Sequence, residues 1–301
     1  MSKVYVFTQF GGPEHQELQD RPVPQPRAGE LLLEVRAAGV NPADAKVRAG
    51  LFGTGRRLPV GMGLEAAGVV AAVGDGVEGF AVGDAVLAGV PNGNGGFAEH
   101  TIVRAVEAVT KPEEVSFTDA ATLPVAGTTA YDLTHHVDLD AGQTMLVLGA
   151  GGGVGLMAAQ IGAVHQLRTI GVASEAKREL VESTGAVFVP SGDGFADRVR
   201  VLAPDGVDLV VDLVGGEVLR QAAPLATEPG RVVSAADPAV VELGGGMRRH
   251  DPEALSKITG VVQHGLLDPH VTATYPLERA GEALAAVETG HAAGKVVVEV
   301  G

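Results

Sequence analysis

The sequence predicts an α/β protein in which a doubly wound parallel sheet is carried between two stretches of a mostly β unit. Three observations predict it. An apolar strand runs directly into a glycine-dense turn and a small-residue helix over MLVLGAGGGVGLMAAQ, residues 145–160. From about Phe117 strands alternate with helical stretches. Before that point, and again after about Gly260, the chain is a series of short apolar runs punctuated by Gly and Pro.

The first stretch, residues 1–117, reads as a compact, mostly β domain with strand-like runs at Glu30–Val35, Gly68–Val73, Asp84–Ala88 and Glu99–Val103. The second, residues 118–260, offers strands at Met145–Leu148, Arg168–Val172, Val187–Val189, Asp208–Asp212 and Arg231–Ser234. Helical segments separate them, the clearest over Ser174–Thr184, where Ser174 is placed to cap and Gly185 to stop the helix. Such strand–helix alternation after a glycine turn describes a Rossmann-type domain, its parallel sheet covered on both faces. The remainder, residues 261–301, places runs at Val271–Tyr275 and Lys295–Val300 around a helix at Leu277–Glu288 and is expected to return to the first domain.

Composition narrows the function classes. A chain of 301 residues with 46% hydrophobic content is long enough for two domains with sizeable cores. A formal net charge of −15 argues against nucleic acid or an anionic membrane as partner, so an anionic cofactor must find a locally basic pocket. The opening MSKVYVFTQF lacks the apolar stretch of a signal peptide and no run approaches the roughly 20 apolar residues of a spanning helix, so the cytoplasm is the expected location. With no cysteine there is no disulfide, no thiolate nucleophile and no cysteine-ligated zinc. His135 and His136 are adjacent, and on a helix they point in different directions rather than at one metal.

The glycine turn carries the functional reading. Glycines let the backbone approach a pyrophosphate closely, and the amides and positive dipole end of the following helix stabilise its charge. Ala150, Gly152 and Gly155 keep the offsets of the dinucleotide fingerprint with Ala in the first place, and Gly153, Gly155 and Ala158 satisfy its alanine-ended variant. The cradle is therefore Ala150, Gly151, Gly152, Gly153 and Val154 in one of two registers; a turn that uses glycine for packing alone is the competing reading. The next strand, RTIGV, ends in Ala173 and Ser174 without the acid that would bind the adenosine ribose hydroxyls and repel a 2′-phosphate. Ser174 offers a donor, and Lys177 or Arg178 the positive charge that NADPH needs, provided Glu175 points away; a solvated helix face is the alternative. The stretch Leu243–Met247 with Arg248, Arg249 and His250 reads either as a mobile substrate or cofactor loop or as a solvent-exposed connector.

Several segments, in order, together resemble the zinc-free quinone oxidoreductase (zeta-crystallin-like) family of the medium-chain dehydrogenase/reductase superfamily: AGVNPADAKVRAG (38–50), GLEAAGVVAAVGDGVEGFAVGDAV (63–86), LPVAGTTAYDLT (123–134), the glycine turn, GVDLVVDLVGG (206–216) and GHAAGKVVVEV (290–300). The resemblance implies a GroES-like mostly-β catalytic domain interrupted by a Rossmann domain, with the active site in the cleft between them and a homodimer paired through the Rossmann domains. It implies an NADPH-dependent transfer of hydride to a small, planar, hydrophobic acceptor, a quinone or an α,β-unsaturated carbonyl. An alkenal or enoyl reductase, or an NADPH-binding protein with little turnover, are the alternatives.

By the same resemblance Asn41 sits near the nicotinamide with its amide toward a substrate carbonyl, and Thr128 binds the carboxamide or its ribose. Leu213, Val214 and Gly215 after the fourth strand, and Ser234, Ala235 and Ala236 after the fifth, pass under the nicotinamide half. Lys46, Ser191 and Lys295 are further cofactor candidates; Ser191 stands where the family often has Tyr. Tyr131 or water supplies the proton. Zinc enzymes of the superfamily carry a Cys and a His where this chain has Asn41 and Leu64, so no metal is expected. Glu65 is expected to be a buried acid paired inside the first domain, and Asp44 and Arg48 to order the loop after Asn41.

Overall fold

In a computed structural model, residues 1–91, 93–290 and 292–301 are described. His291 of the 290–300 segment and Asn92 lie outside them. The chain begins with strands β1 (Ser2–Phe7), β2 (Gln16–Arg21) and β3 (Glu30–Val40), helix α1 (Pro42–Arg48), and strands β4 (Val60–Gly61), β5 (Glu65–Val73), β6 (Ala85–Gly89), β7 (His100–Arg104) and β8 (Ala108–Thr110). Helices α2 (Phe117–Ala120) and α3 (Thr128–Thr134) follow. The alternating stretch then runs β9 (Thr144–Leu148), α4 (Gly153–Val164), β10 (Arg168–Ala173), α5 (Arg178–Glu182), β11 (Val187–Pro190), α6 (Phe195–Leu202), β12 (Leu209–Asp212), α7 (Gly216–Ala222), β13 (Val232–Ser234), β14 (Gly246–Met247) and α8 (Ala254–Gln263). The chain ends in β15 (Val271–Pro276), α9 (Ala280–Glu288) and β16 (Lys295–Glu299).

Two compact units result, one of Met1–Val125 with Val271–Gly301, the other of Ala126–His270. Their limits lie beyond the composition shifts at 117 and 260 for physical reasons. The short helix α2 packs on β3 and β5 and so belongs with the β unit. After α8, Asp268 is tied to α4 by a reciprocal pair with Gln160, Nε2 to the Asp268 carbonyl and the Asp268 amide to Oε1, each 2.8 Å.

The first unit is an α/β body dominated by antiparallel sheet. A seven-stranded sheet runs β15–β16–β3–β5–β6–β8 with β7 on β3, and a three-stranded sheet runs β2–β1–β4. The C-terminal strand β16 pairs antiparallel with β3, Val296 opposite Val40, so the chain's return completes the sheet that its first third began. Phe7, Leu31, Leu33, Phe97 and Leu284 are among the side chains that fill its core.

The second unit is a parallel sheet of order β11–β10–β9–β12–β13–β14. The apolar runs TMLVL and LVVD are buried at every position, as expected of central strands covered on both faces. The chain leaves β9 toward β10 and β11 and then crosses back to β12, so the topological switch falls between β9 and β12, whose carboxyl ends flank the ligand crevice of such sheets. Two details differ from the sequence reading. The helix expected over 174–184 is a 3-10 turn at Glu175–Lys177 followed by the short α5. A sixth strand, β14, forms inside the glycine-rich stretch, because Gly245 lets the chain come close enough to β13 for Val233 and Ser234 to pair with Gly246 and Met247.

Candidate functional site

In the second unit the turn between β9 and α4 is built by close backbone approach. Gly149 has φ +82°, a conformation that favours glycine, and its amide and that of Ala150 both donate to the Val172 carbonyl at 3.0 Å. A Cβ at Gly155 would lie 2.6 Å from Ala150 Cα, so this glycine lets helix and strand meet. Gly152 is different. A Cβ there would meet nothing nearer than the Gly149 carbonyl oxygen at 3.7 Å. The open side of the turn thus lies at Gly152, Gly153 and Val154; the Gly152 amide donates to the Gly149 carbonyl at 3.2 Å, and the first turn of a 12-residue helix leaves the Gly153 and Val154 N–H groups without intrahelical partners.

The end of β10 separates the two nearby cations. A Cβ on Gly151 would fall 2.5 Å from Lys177 Cδ and 2.8 Å from its Cβ, so the Lys177 stem lies directly across the turn, and partial burial there lowers its pKa. Arg178 faces elsewhere: its Nε and Nη2 hold Glu175 at 2.7 and 3.2 Å, and its guanidinium covers the Phe188 ring at 4.3 Å. Glu175 is therefore turned onto Arg178. Ser174 is exposed at the end of β10, and Ser191, also exposed, donates its amide to the Ala173 carbonyl beside it.

At the ends of β12 and β13 one buried carboxylate organises both loops. Asp212 Oδ1 accepts from the amides of Val214 (3.0 Å) and Gly215 (2.9 Å), and Oδ2 accepts from Ser234 Oγ at 2.6 Å. Ser234 Oγ in turn accepts from the amides of Ala236 and Asp237, each 3.0 Å, and the Ala235 amide donates to the Asp212 carbonyl. The Ser234 hydroxyl, expected among the cofactor contacts, is wholly used in this scaffold and is 0% exposed. The amides of Leu213, Val214, Gly215, Ala235 and Ala236 are likewise committed, which leaves these loops to face a ligand with carbonyl oxygens and the half-exposed Val214 side chain. Asp212 was missed in the sequence reading; the signal for it was an acid ending an otherwise apolar strand.

On α3, Thr128 and Asp132 share one face. Arg248, emerging from the carboxyl end of β14, donates from Nε to Asp132 Oδ2 at 2.7 Å and from Nη2 to Thr128 Oγ1 at 3.0 Å. Tyr131 lies against other partners, stacked on His135 at 4.0 Å between centroids with the Lys257 ammonium 5.5 Å from its ring centre.

In the first unit Asn41, Glu65 and Lys295 meet. Lys295 Nζ lies 2.7 Å from Asn41 Oδ1, 3.1 Å from Glu65 Oε1 and 3.2 Å from the Val40 carbonyl, three acceptors for its three hydrogens. Asn41 Nδ2 donates to Glu65 Oε1 at 2.7 Å, and Glu65 Oε2 accepts the Val125 amide at 2.7 Å. Both ends of the Asn41 amide and the Lys295 ammonium are thus turned inward, where the sequence reading had aimed them at substrate and cofactor. Asp44 accepts the Asn41 amide on Oδ2 at 2.8 Å, while its Oδ1 is buried without a hydrogen-bond partner among the described residues. Burial pushes the Asp44 carboxyl up to about 7; the Asn41 amide, the Lys295 charge and the Gly63 amide oppose that shift, and the Glu65 charge adds to it. Arg48 anchors the loop, Nε on the Gly11 carbonyl at 3.0 Å and its Nη atoms on Glu288. Lys46 is exposed, as are Leu51 and Phe52 beyond it.

The comparisons agree with this organisation. Residues 27–113 match the family model described as alcohol dehydrogenase GroES-like domain, and residues 184–298 the one described as zinc-binding dehydrogenase. The quinone oxidoreductase of Rattus norvegicus is 32% identical over 306 residues, spanning 94% of this chain and 92% of the relative. Among solved structures, the quinone oxidoreductase from Coxiella burnetii superposes with TM-score 0.91 at 28% identity over 100% of this chain and 99% of its own. A mycobacterial protein complexed with NADPH gives 0.89 at 29% identity over 99% and 100%, and the CurK enoyl reductase 0.87 at 26% over 100% and 99%. A GroES-like unit and a parallel-sheet Rossmann unit define a medium-chain dehydrogenase/reductase, and within that superfamily the chain belongs to the quinone oxidoreductase family. It is an oxidoreductase of a family that binds a nicotinamide cofactor.

The residues fit such a cofactor at the glycine turn, where a Cβ at Gly152 would meet nothing nearer than 3.7 Å and the helix start supplies donors. They do not fit the zinc for which one matched model is named. The chain has no cysteine, Leu64 stands at the histidine position, Asn41 is bonded to Lys295 and Glu65, and no group of three metal-ligating side chains exists among the described residues. No described helix is long and apolar enough to cross a membrane.

Proposed function

We propose that this oxidoreductase is NADPH-dependent and zinc-independent and reduces a small, planar, hydrophobic acceptor, a quinone or an α,β-unsaturated carbonyl. One observation carries the cofactor choice: the Lys177 stem lies across Gly151 while Glu175 is drawn away onto Arg178, at the end of a strand with no acid to repel a 2′-phosphate. The amides of Gly153 and Val154 would hold the pyrophosphate where it passes over Gly152, and Ser174, Lys177 and Ser191 the 2′-phosphate. The carbonyls of Leu213–Gly215, Ala235 and Ala236 would accept from the carboxamide, and the Thr128 side chain would fix its orientation. When bound, the reduced nicotinamide supplies a hydride from its C4.

The chain's own residues then have positioning and electrostatic work to do rather than covalent chemistry. Asp212 keeps both loops rigid, so the carbonyl edge is set before a ligand arrives. Tyr131, packed between His135 and the Lys257 ammonium, is poorly placed as an acid, and the proton is assigned to water. In the first unit, the Asn41–Glu65–Lys295 cluster fixes the start of α1, which carries Lys46 and leads to the exposed Leu51 and Phe52. A homodimer paired through the β14 edge is part of the same reading.

The structural likeness to an enoyl reductase supports a second reading in which a substrate carbon takes the hydride. Initial rates of NADPH oxidation with a series of quinones and a series of conjugated enones and enals separate the two. Turnover confined to enones selects the second reading, and no turnover above buffer with any acceptor removes both.

A further inference from the structure

We propose that Asp132 is a positioning residue that seats Arg248 against Thr128, so that the guanidinium meets the acceptor oxygen on which negative charge develops during reduction. The inference rests on the reading of the chain as a reductase and names a residue pair that reading did not use. Four observations carry it. The Asp132 side chain is 0% exposed, yet ionised carboxylates are costly to bury and this one faces a cation, Arg248 Nε at 2.7 Å. Its second oxygen accepts the Asp251 amide at 3.1 Å, so one carboxylate holds both ends of the 248–251 turn to α3. The Arg248 amide donates to the Ser234 carbonyl at 3.0 Å, which places the residue at the carboxyl ends of β13 and β14, the end of a parallel sheet where ligands bind. Nε and Nη2 are used on Asp132 and Thr128, whereas Nη1 makes no hydrogen bond among the described residues and the side chain is 26% exposed.

A planar guanidinium held along one edge presents its other donors in a fixed direction, and it stays protonated at every working pH. It therefore suits an oxygen that gains charge. The hydride adds to the acceptor as a π bond of the acceptor breaks, the displaced electron pair ends on the acceptor oxygen beside Nη1, and water then gives a proton to that oxygen, or to the carbon conjugated with it, and is left as hydroxide. Arg248 supplies charge and no proton, so the balance needs only reduced cofactor, acceptor and water. The 243–250 stretch, which from sequence is equally a solvent-exposed connector, is by this inference a fixed part of the site.

The test is a double-mutant cycle in the full-length protein, using Arg248→Gln, which keeps a donor for the buried carboxylate, and Asp132→Asn. Dissociation constants for NADPH and melting temperatures are measured alongside acceptor kinetics. Losing the guanidinium is expected to lower kcat about 100-fold, with NADPH binding changed by less than about twofold; Asp132→Asn lowers kcat in the wild-type background and has no further effect on Arg248→Gln. Guanidinium ion in the buffer is expected to restore part of the rate of Arg248→Gln. Should Arg248→Gln destabilise the fold, Arg248→Lys provides the same comparison with a charge retained and the fork lost. Equal losses from Asp132→Asn in both backgrounds, or unchanged acceptor kinetics in Arg248→Gln, overturn the inference while leaving the reductase reading intact. A wild-type chain that oxidises NADPH with no acceptor overturns the reading beneath it instead.

Discussion

Lys295 Nζ and Glu65 Oε1 lie 3.1 Å apart with side-chain exposures of 4% and 0%, an ion pair closed off inside the first unit and completed by Asn41. It links the last strand of the chain to β5 and to the start of α1, elements far apart in sequence. Removing one partner strands the other. Lys295→Met is expected to cost about 3–5 kcal/mol in urea unfolding, the penalty of an unpaired buried charge. The double variant Lys295→Met with Glu65→Gln should recover most of that loss, because a neutral pair leaves no charge to desolvate.

Two glycines of the same turn should behave differently. Gly155→Ala drives a Cβ to 2.6 Å from the Ala150 backbone and is expected to destabilise the fold by about 1–3 kcal/mol. Gly152→Ala brings its Cβ into ordinary contact with the Gly149 carbonyl oxygen at 3.7 Å and nothing nearer, with φ −94°. Its stability should stay within about 1 kcal/mol of wild type, yet the methyl would occupy the approach of the pyrophosphate, so cofactor affinity should fall roughly tenfold or more, at least 1.4 kcal/mol. Calorimetric titration beside thermal unfolding checks both halves.

Asp44 sets a pH dependence whose sign is unusual for a carboxylate. Its carboxyl is raised from 3.8 to about 7 in the folded chain, mainly by burial. Between about pH 4 and 7 the native state therefore holds more protons than the unfolded state, and this group's contribution declines as pH rises through that window. It is complete below the unfolded value and flat above the folded one. Asp44→Asn should flatten the slope of unfolding free energy against pH between 4 and 7; an unchanged slope assigns it to other groups.

Much of this was legible in the sequence. The strands of the parallel sheet followed from apolar runs alternating with helices, and the glycine turn announced itself because strand, turn and helix are contiguous. The return of the last strand was readable because short β-like runs reappear after the helices. What sequence could not supply was the direction of side chains. Lys177 and Arg178 are neighbours with the same charge, and only packing over Gly151 on one side and Phe188 on the other tells them apart. Asn41 and Lys295 are 254 positions apart, so their mutual engagement is a tertiary event. Ser234 is a ligand contact by the family resemblance, and the acid that claims it, Asp212, lies on the neighbouring strand.

Activity should not depend on metal. With no cysteine in the chain and Asn41 held by Lys295 and Glu65, dialysis against a strong chelator is expected to leave the rate of NADPH oxidation within about 20% of the untreated enzyme, a margin small on the free-energy scale. Elemental analysis of the active protein gives the parallel reading, less than stoichiometric zinc.

The most direct measurement is titration of NADPH and NADH against the wild-type chain and Lys177→Ala. The expected result is tighter NADPH binding by the wild type, and in the variant a loss for NADPH of about 1.5–3 kcal/mol, the scale of a charge-assisted hydrogen bond, with NADH nearly unchanged. Equal affinities in the wild type, or equal losses for both cofactors in the variant, would contradict the placement of the 2′-phosphate beside Lys177.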